Sequence, residues 1–425
     1  MRECSSTNSI NSSGKIRTCR GVNWNGLSKI CTCQTRLELR ALNFISRIPD
    51  LLNNLGLIDI SQHELALGFF DLFSHVCIIF GKNFTLHKVK PIFQRGVHNL
   101  EEVLSSFNQY CPSLNVVPVY LVSVLSYCDR DGELERTLKR FLYALPLCGI
   151  PQSCLEVTVT GLCRRGLDDL VVTCLWDAVV HQRPLVRAAS AGLFSAVLKM
   201  CGENLLCTKV APALVTLAND SDVLVRTATV PVLGSLIIDT TFEEVQDKAY
   251  MQLESLLSDG NLLDNHTILR QLIVTMGNVV STCRESFKYK VIVPKLYSLA
   301  SYTYQMTSHT RKIDMTVALI EAFSQLLFCT TLNSNSITSF VLPGLKYLEV
   351  IVRETHSLAS QVDGVVSIIK EIESKLEMSS ANVEKTTRTT QNIEDVRLKV
   401  SKIFSNPVVN KSNTLPNFQG IFKKK

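Results

Sequence analysis

The chain has 425 residues, 46% of them hydrophobic and 19% charged, with only 19 glycines and 13 prolines. That composition suits an elongated array of largely buried helices and argues against a loop-rich all-β protein. The net charge of +6 is concentrated at the ends, in residues 1–40 and 381–425, so the body between them is net acidic and makes a poor nucleic-acid-binding surface.

Residues 1–34 are rich in Ser, Asn and Thr and poor in apolar residues, and are expected to be disordered. The opening MRECSSTNSINSSGK has no apolar core of a secretory signal. No uninterrupted apolar run approaches the roughly 18 residues of a membrane span. The expectation is therefore a soluble, cytoplasmic protein whose sequons at Asn83 and Asn265 are chance. Basic flanks allow at most peripheral contact with anionic membranes.

Helical periodicity defines a body over residues 35–378. It starts with a stripe of Leu37, Leu39, Leu42 and Ile45. The segment Leu65–Phe80 reads as a largely buried helix, with His75 as a satisfied core residue. Prolines after a valine or leucine recur at Pro91, Pro118, Pro212, Pro294 and Pro343. A proline is tolerated in a helix's first turn, where its missing N–H has no partner, so each is expected to open the first helix of a unit.

An early unit pairs Glu133–Leu145 with Gln152–Cys163. Asp168 and Asp169, just after Arg164 and Arg165, read as an inter-helix turn of mixed charge rather than an acid/base pair. Then comes the clearest signal. PLVRAASAGLFSAV (Pro184–Val197) is answered 39 residues later by VLVRTATVPVLGSL (Val223–Leu236), in register and without a gap. Self-similarity at this period marks helical-pair solenoids. Arg187, Arg226, Arg270 and Arg311 fall near the starts of second helices and imply four stacked units. A last unit pairs Ser336–Val352 with His356–Leu376, and residues 379–425 form a basic tail.

Asn219–Leu236, NDSDVLVRTATVPVLGSL, resembles the HEAT repeat, with Asp222, Val225, Arg226 and Ala228 at the family's positions. The resemblance implies an all-α right-handed superhelix of antiparallel helix pairs. It also implies that Arg187 crosses a repeat boundary to carboxylates or carbonyl ends, and that Ala188, Ala189 and Ala191 sit where helices approach closely. Two departures stand out. Arg183 occupies the position of Asp222 in the preceding unit, and Pro231 falls inside the second helix, where it should introduce a kink.

Pro184–Ile237 and HTILRQLIVTMGNVV (His266–Val280) further resemble the HEAT region of a family of Rab-binding proteins with LisH, coiled-coil and HEAT segments. That resemblance implies an adaptor on recycling endosomes and the trans-Golgi network. Such an adaptor binds a Rab GTPase and an oxysterol-binding protein in support of cholesterol transfer. The chain shows no recognisable LisH motif or long heptad segment ahead of its repeats.

No phosphate loop GxxxxGK[ST], no HExxH and no GxSxG is present, and the eight histidines do not pair at ligand spacing. The scattered cysteines, Cys77, Cys154, Cys163, Cys174 and Cys329 among them, read as reduced core residues, and Cys31 with Cys33 lacks the second pair of a zinc site. The expectation is a non-enzymatic protein without cofactor or metal. Two classes remain: an adaptor gripping a protein partner with its second helices, or a regulatory scaffold for an enzyme, similar to phosphatase scaffold subunits.

Overall fold

The computed structural model describes residues 43, 46–51, 63–105, 116–129, 132–148, 152–328 and 332–381. The chain divides into two compact units, residues 1–54 and 55–425. In the first, residues 46–51 are helical, with Ile48 buried. Cys31, Cys33, Cys329, the segment 1–34 and residues 382–425 lie outside the described residues, and the last helix carries on past residue 378 to Ala381.

The second unit is an all-α solenoid, with no strand among its described residues. Its helices are α1 (His63–Phe84), α2 (Lys90–Ser105), α3 (residues 116–128), α4 (Glu133–Ala144), α5 (Ser153–Arg164), α6 (Asp168–Val179), α7 (Pro184–Val197) and α8 (residues 203–218). They continue with α9 (Val223–Asp239), α10 (Glu243–Leu257), α11 (His266–Val279), α12 (residues 285–305), α13 (His309–Phe328), α14 (residues 334–354) and α15 (Ala359–Ala381).

Alternate helices lie side by side. In one row α3, α5, α7, α9, α11 and α13 pack in succession; in the other α4 packs on α6, α6 on α8, α8 on α10, and α12 on α14. The array holds helix pairs on both sides of the four that carry the arginines, at Glu133–Arg164 and at residues 334–381.

Small residues set the spacing of the first row. A Cβ added at Gly234 of α9 would lie 2.7 Å from Thr275 Cγ2 of α11, and one at Gly277 of α11 would lie 3.0 Å from the Ala322 Cα of α13. Ala188 and Ala191 of α7 are buried and Ala189 is half-buried; Leu193 of α7 and Leu236 of α9 are buried as well. Apolar side chains of neighbouring units thus form one continuous core, and no unit could bury its faces alone.

The prolines behave differently from the expectation. Pro91, Pro212, Pro294 and Pro343 each occupy the second residue of an α-helical segment, but that segment is not where the helix begins. A π-turn runs straight into each one: Thr85–Val89, Leu206–Val210, Lys288–Ile292 and Ile337–Val341. The residue before each proline donates its N–H five residues back, Ala211 to Leu206 O and Val293 to Lys288 O among them. The wide turn takes up the proline, which can neither donate nor clear the carbonyl four residues earlier. Helices α8, α12 and α14 therefore start a turn or more ahead of their prolines. Pro118 lies in α3 before a π-turn at Tyr120–Leu125. Pro231 is internal to α9, which continues to Asp239.

Helix α1 breaks at Gly81, whose φ of 79° and ψ of 170° leave the helical region. Its inner side buries Phe70, Phe73 and Cys77, and Ser123 Oγ of α3 donates to Phe70 O at 3.0 Å. Its outer side exposes Leu72, Ile78 and Ile79. His75 lies on that outer side, with Nδ1 2.7 Å from Asp71 O, so it is not a core residue. The helix stretch Glu64–Val97 also contains an 18-residue window of mean hydropathy 1.6, enough by length and composition to cross a membrane. Counting uninterrupted apolar residues missed it, because Asp71 and His75 interrupt the run.

Cys77, Cys154, Cys163 and Cys174 are buried, as expected. Burial pushes the Cys77 thiol up to about 11 and the Cys163 and Cys174 thiols up to about 12, which keeps them protonated near neutrality.

Candidate functional site

Among the described ion pairs, the one between Arg187 and Asp220 is the least exposed, and it closes a turn between the rows. Arg187, in the first turn of α7, reaches over the unit boundary to Asp220 in the α8–α9 turn. Its Nε donates to Asp220 Oδ2 at 2.7 Å and its Nη2 to Asp220 Oδ1 at 2.9 Å, while Nη1 donates to His181 O and Gln182 O at 2.9 and 3.0 Å. This bidentate fork is the strong form of the pair. Both side chains are nearly buried, at 13% and 11% exposure. Burial works against the Asp220 carboxylate, but hydrogen bonds from Arg187 and from the Asp222 backbone outweigh it and hold the group below its ordinary value.

Arg187 thus crosses the unit boundary to a carboxylate, and the acid it reaches is Asp220 rather than Asp222. Asp222 is the N-cap of α9, its Oδ1 accepting from Leu224 N at 2.8 Å, and Asp220 is the bridging acid. Asp220 Oδ1 also accepts from Asp222 N at 2.8 Å, so one carboxylate shapes the turn and closes the boundary. A spacing signal for it existed: Asp220 aligns with His181 in the previous unit, whose Nδ1 accepts from Arg183 N at 3.1 Å in the same way. Arg183 has the backbone angles of Asp222, φ −89° and ψ 125°, and provides no side-chain cap.

Arg226 repeats half of the Arg187 arrangement. Its Nη1 donates to Asp220 O and Ser221 O at 2.7 and 3.1 Å, with no carboxylate on its other edge. Arg270 and Arg311 are exposed and make no ion pair among the described residues. Pro212 and Pro294 follow their π-turns and are not part of this clamp. The four arginines therefore locate second helices correctly but share no single role.

A second polar node, missed by the sequence reading, ties α2, α3 and α4 together. Tyr120 Oη donates to Glu133 Oε1 at 2.6 Å, Gln94 Nε2 donates to the same oxygen at 3.1 Å, and Lys90 Nζ lies 2.6 Å from Oε2. Burial opposes the Glu133 charge, and these donors, Lys90 foremost, still bring its pKa below the usual carboxylate range. Three elements converge on one glutamate, which no local spacing announces. Nothing in either node resembles an activated nucleophile with a base; both are clamps.

Residues 113–371, which include the Arg187–Asp220 clamp and the Tyr120 and Glu133 of the second node, match the family described as "RAB11-binding protein RELCH C-terminal domain". The chain belongs to this family. Over 337 residues, 78% of the chain, it is 31% identical to the RAB11-binding protein RELCH homolog of Danio rerio. The identity is also 31% over the same length to RAB11-binding protein RELCH of Mus musculus and of Homo sapiens. The matched region is only 28% of the Danio protein and 27% of the mammalian ones, so the chain spans under a third of the length of these relatives.

Proposed function

We propose that the chain is a non-enzymatic adaptor whose helical array binds a Rab GTPase. One observation carries the reading: the match to a family named for RAB11 binding covers the stacked helices from α3 into the first half of α15, including the Arg187–Asp220 boundary clamp. A rigid row of second helices with polar turns at its edge suits the recognition of a folded partner. The finer proposal is endosome-to-Golgi traffic and cholesterol transport together with an oxysterol-binding protein, at recycling endosomes and the trans-Golgi network. The basic residues of 1–40 and 381–425 would add peripheral attraction to anionic membranes.

Immobilised chain offered RAB11 loaded with a non-hydrolysable GTP analogue or with GDP tests the first step. Retention of the GTP form above the GDP form is expected. Equal retention of the two forms, or of neither, sinks the reading. Co-precipitation of an oxysterol-binding protein with the same immobilised chain tests the finer step independently.

A further inference from the structure

Arg187 and Arg226 are the same arginine in consecutive units, and only one of them has its acid. In both, Nη1 is fixed by two carbonyls of the preceding turn. In Arg187 the edge formed by Nε and Nη2 then closes on Asp220; in Arg226 that edge donates to no described residue. Asp220 itself is already taken by Arg187. The residue that would complete the second rung is Asp259, which has the turn geometry of Asp220: Asn261 N donates to Asp259 Oδ1 at 3.0 Å. After it, however, the chain inserts a 3-10 turn at Leu262–Asp264 before α11 begins. Arg226 and Asp259 instead line a cavity of about 540 Å³ with Asn219, Asp220, Ser255 and Ser258. A second cavity of about 430 Å³ shares Ser258 and Asp259 and continues past Leu263 to Lys295 and Tyr302.

We propose that this continuous groove is a docking site for an extended segment of a protein partner. A carboxylate of the segment completes the Arg226 rung, and a neighbouring basic side chain pairs with Asp259. The geometry of the Arg226 side chain supports this occupant. A guanidinium held at one nitrogen presents its remaining edge as a planar fork, the match for a carboxylate. Asp259 beside it disfavours a free phosphate dianion and favours a segment carrying both signs. Leu263, 41% exposed at the groove's edge, offers apolar contact to the same segment. The inference rests on the Rab-binding reading only for the identity of the partner.

The full chain is compared with Arg226→Gln and Arg226→Lys for binding to GTP-loaded RAB11, with thermal melting as the folding control. The glutamine variant should bind about tenfold more weakly, and the lysine variant, which keeps the charge but loses the fork, should not restore binding. Wild-type binding that both variants match overturns the groove and leaves the Rab reading standing. Absence of wild-type binding overturns the Rab reading, and the groove is then judged by titrating the ¹⁵N-arginine-labelled chain. The probes are a capped hexapeptide with one aspartate and one lysine, its asparagine counterpart, and inorganic phosphate. A saturable shift of the Arg226 Nε–H signal with the aspartate peptide alone supports the site. No shift, or an equal shift with phosphate or the asparagine peptide, overturns it. So does a signal that already matches that of Arg187 and collapses in Asp259→Asn, since the rung would then close within the chain.

Discussion

The boundary at Arg187 and Asp220 and the boundary at Arg226 and Asp259 are built from equivalent residues, yet one is closed and the other open. The turn feeding α9 is short, and its acid sits under the arginine of α7. The turn feeding α11 inserts Leu262–Asp264 after the equivalent acid. A few residues of loop cost little in closure entropy but decide whether two charges meet. The row of second helices is unaffected, since α7 packs on α9 at the closed boundary and Gly234 of α9 packs on Thr275 of α11 at the open one. Packing is therefore continuous while the polar boundary is discontinuous, and the two can be perturbed separately.

The largest effect should come from the shared packing. Leu193→Asp places an unpaired charge in the α7–α9 core and should cost about 4 kcal/mol. Because neighbour interfaces dominate a solenoid, hydrogen exchange should show protection lost around residues 150–240 and kept around 310–375. Uniform loss along the chain would mean that the units do not fold as an array.

Next comes the closed rung. Asp220→Asn turns one acceptor toward the Arg187 fork into a donor and should cost about 2 kcal/mol in urea denaturation, reduced from a fully buried pair by partial exposure. The same clamp gives a pH signature. The Asp220 pKa is lowered from its ordinary 3.8 in the folded chain, so its contribution is complete above 3.8 and is lost as pH falls through the folded value. Wild type should therefore lose more stability on acidification than Asp220→Asn does; equal losses would show the clamp contributes nothing.

A smaller change sharpens the match between the units. Arg183 holds the N-cap backbone of Asp222 without a capping side chain, so Arg183→Asp should stabilise the chain by about 1 kcal/mol. A melting temperature that falls would show that the two turns differ in more than this residue. The smallest effect belongs to the open rung: Asp259→Asn should shift stability by no more than about 0.5 kcal/mol. A cost equal to that of Asp220→Asn would show that Arg226 and Asp259 pair in solution.

Much of the fold was legible because its causes are periodic. The 39-residue echo placed α7 and α9, and Ala188 and Ala191 of α7 lie at buried positions while Ala189 is half-buried. The polar sites were legible only in part. The sequence pointed Arg187 across a unit boundary without saying which acid it meets, Asp220 or Asp222, and Glu133 went unnoticed. Choosing between two aspartates in one turn requires knowing where the neighbouring arginine reaches, which is a distance across units rather than a pattern along the chain.

By itself the sequence determined the helical class, the repeat period and which faces are apolar, because these depend on side-chain spacing within single helices. Only the tertiary structure decided that the prolines follow π-turns inside longer helices, that His75 faces outward, and that one arginine edge is filled while its equivalent is empty. The physical reason is common to all three. Each depends on how far one backbone segment stands from another, and loop length and helix winding set that distance without changing the residues that would have to meet.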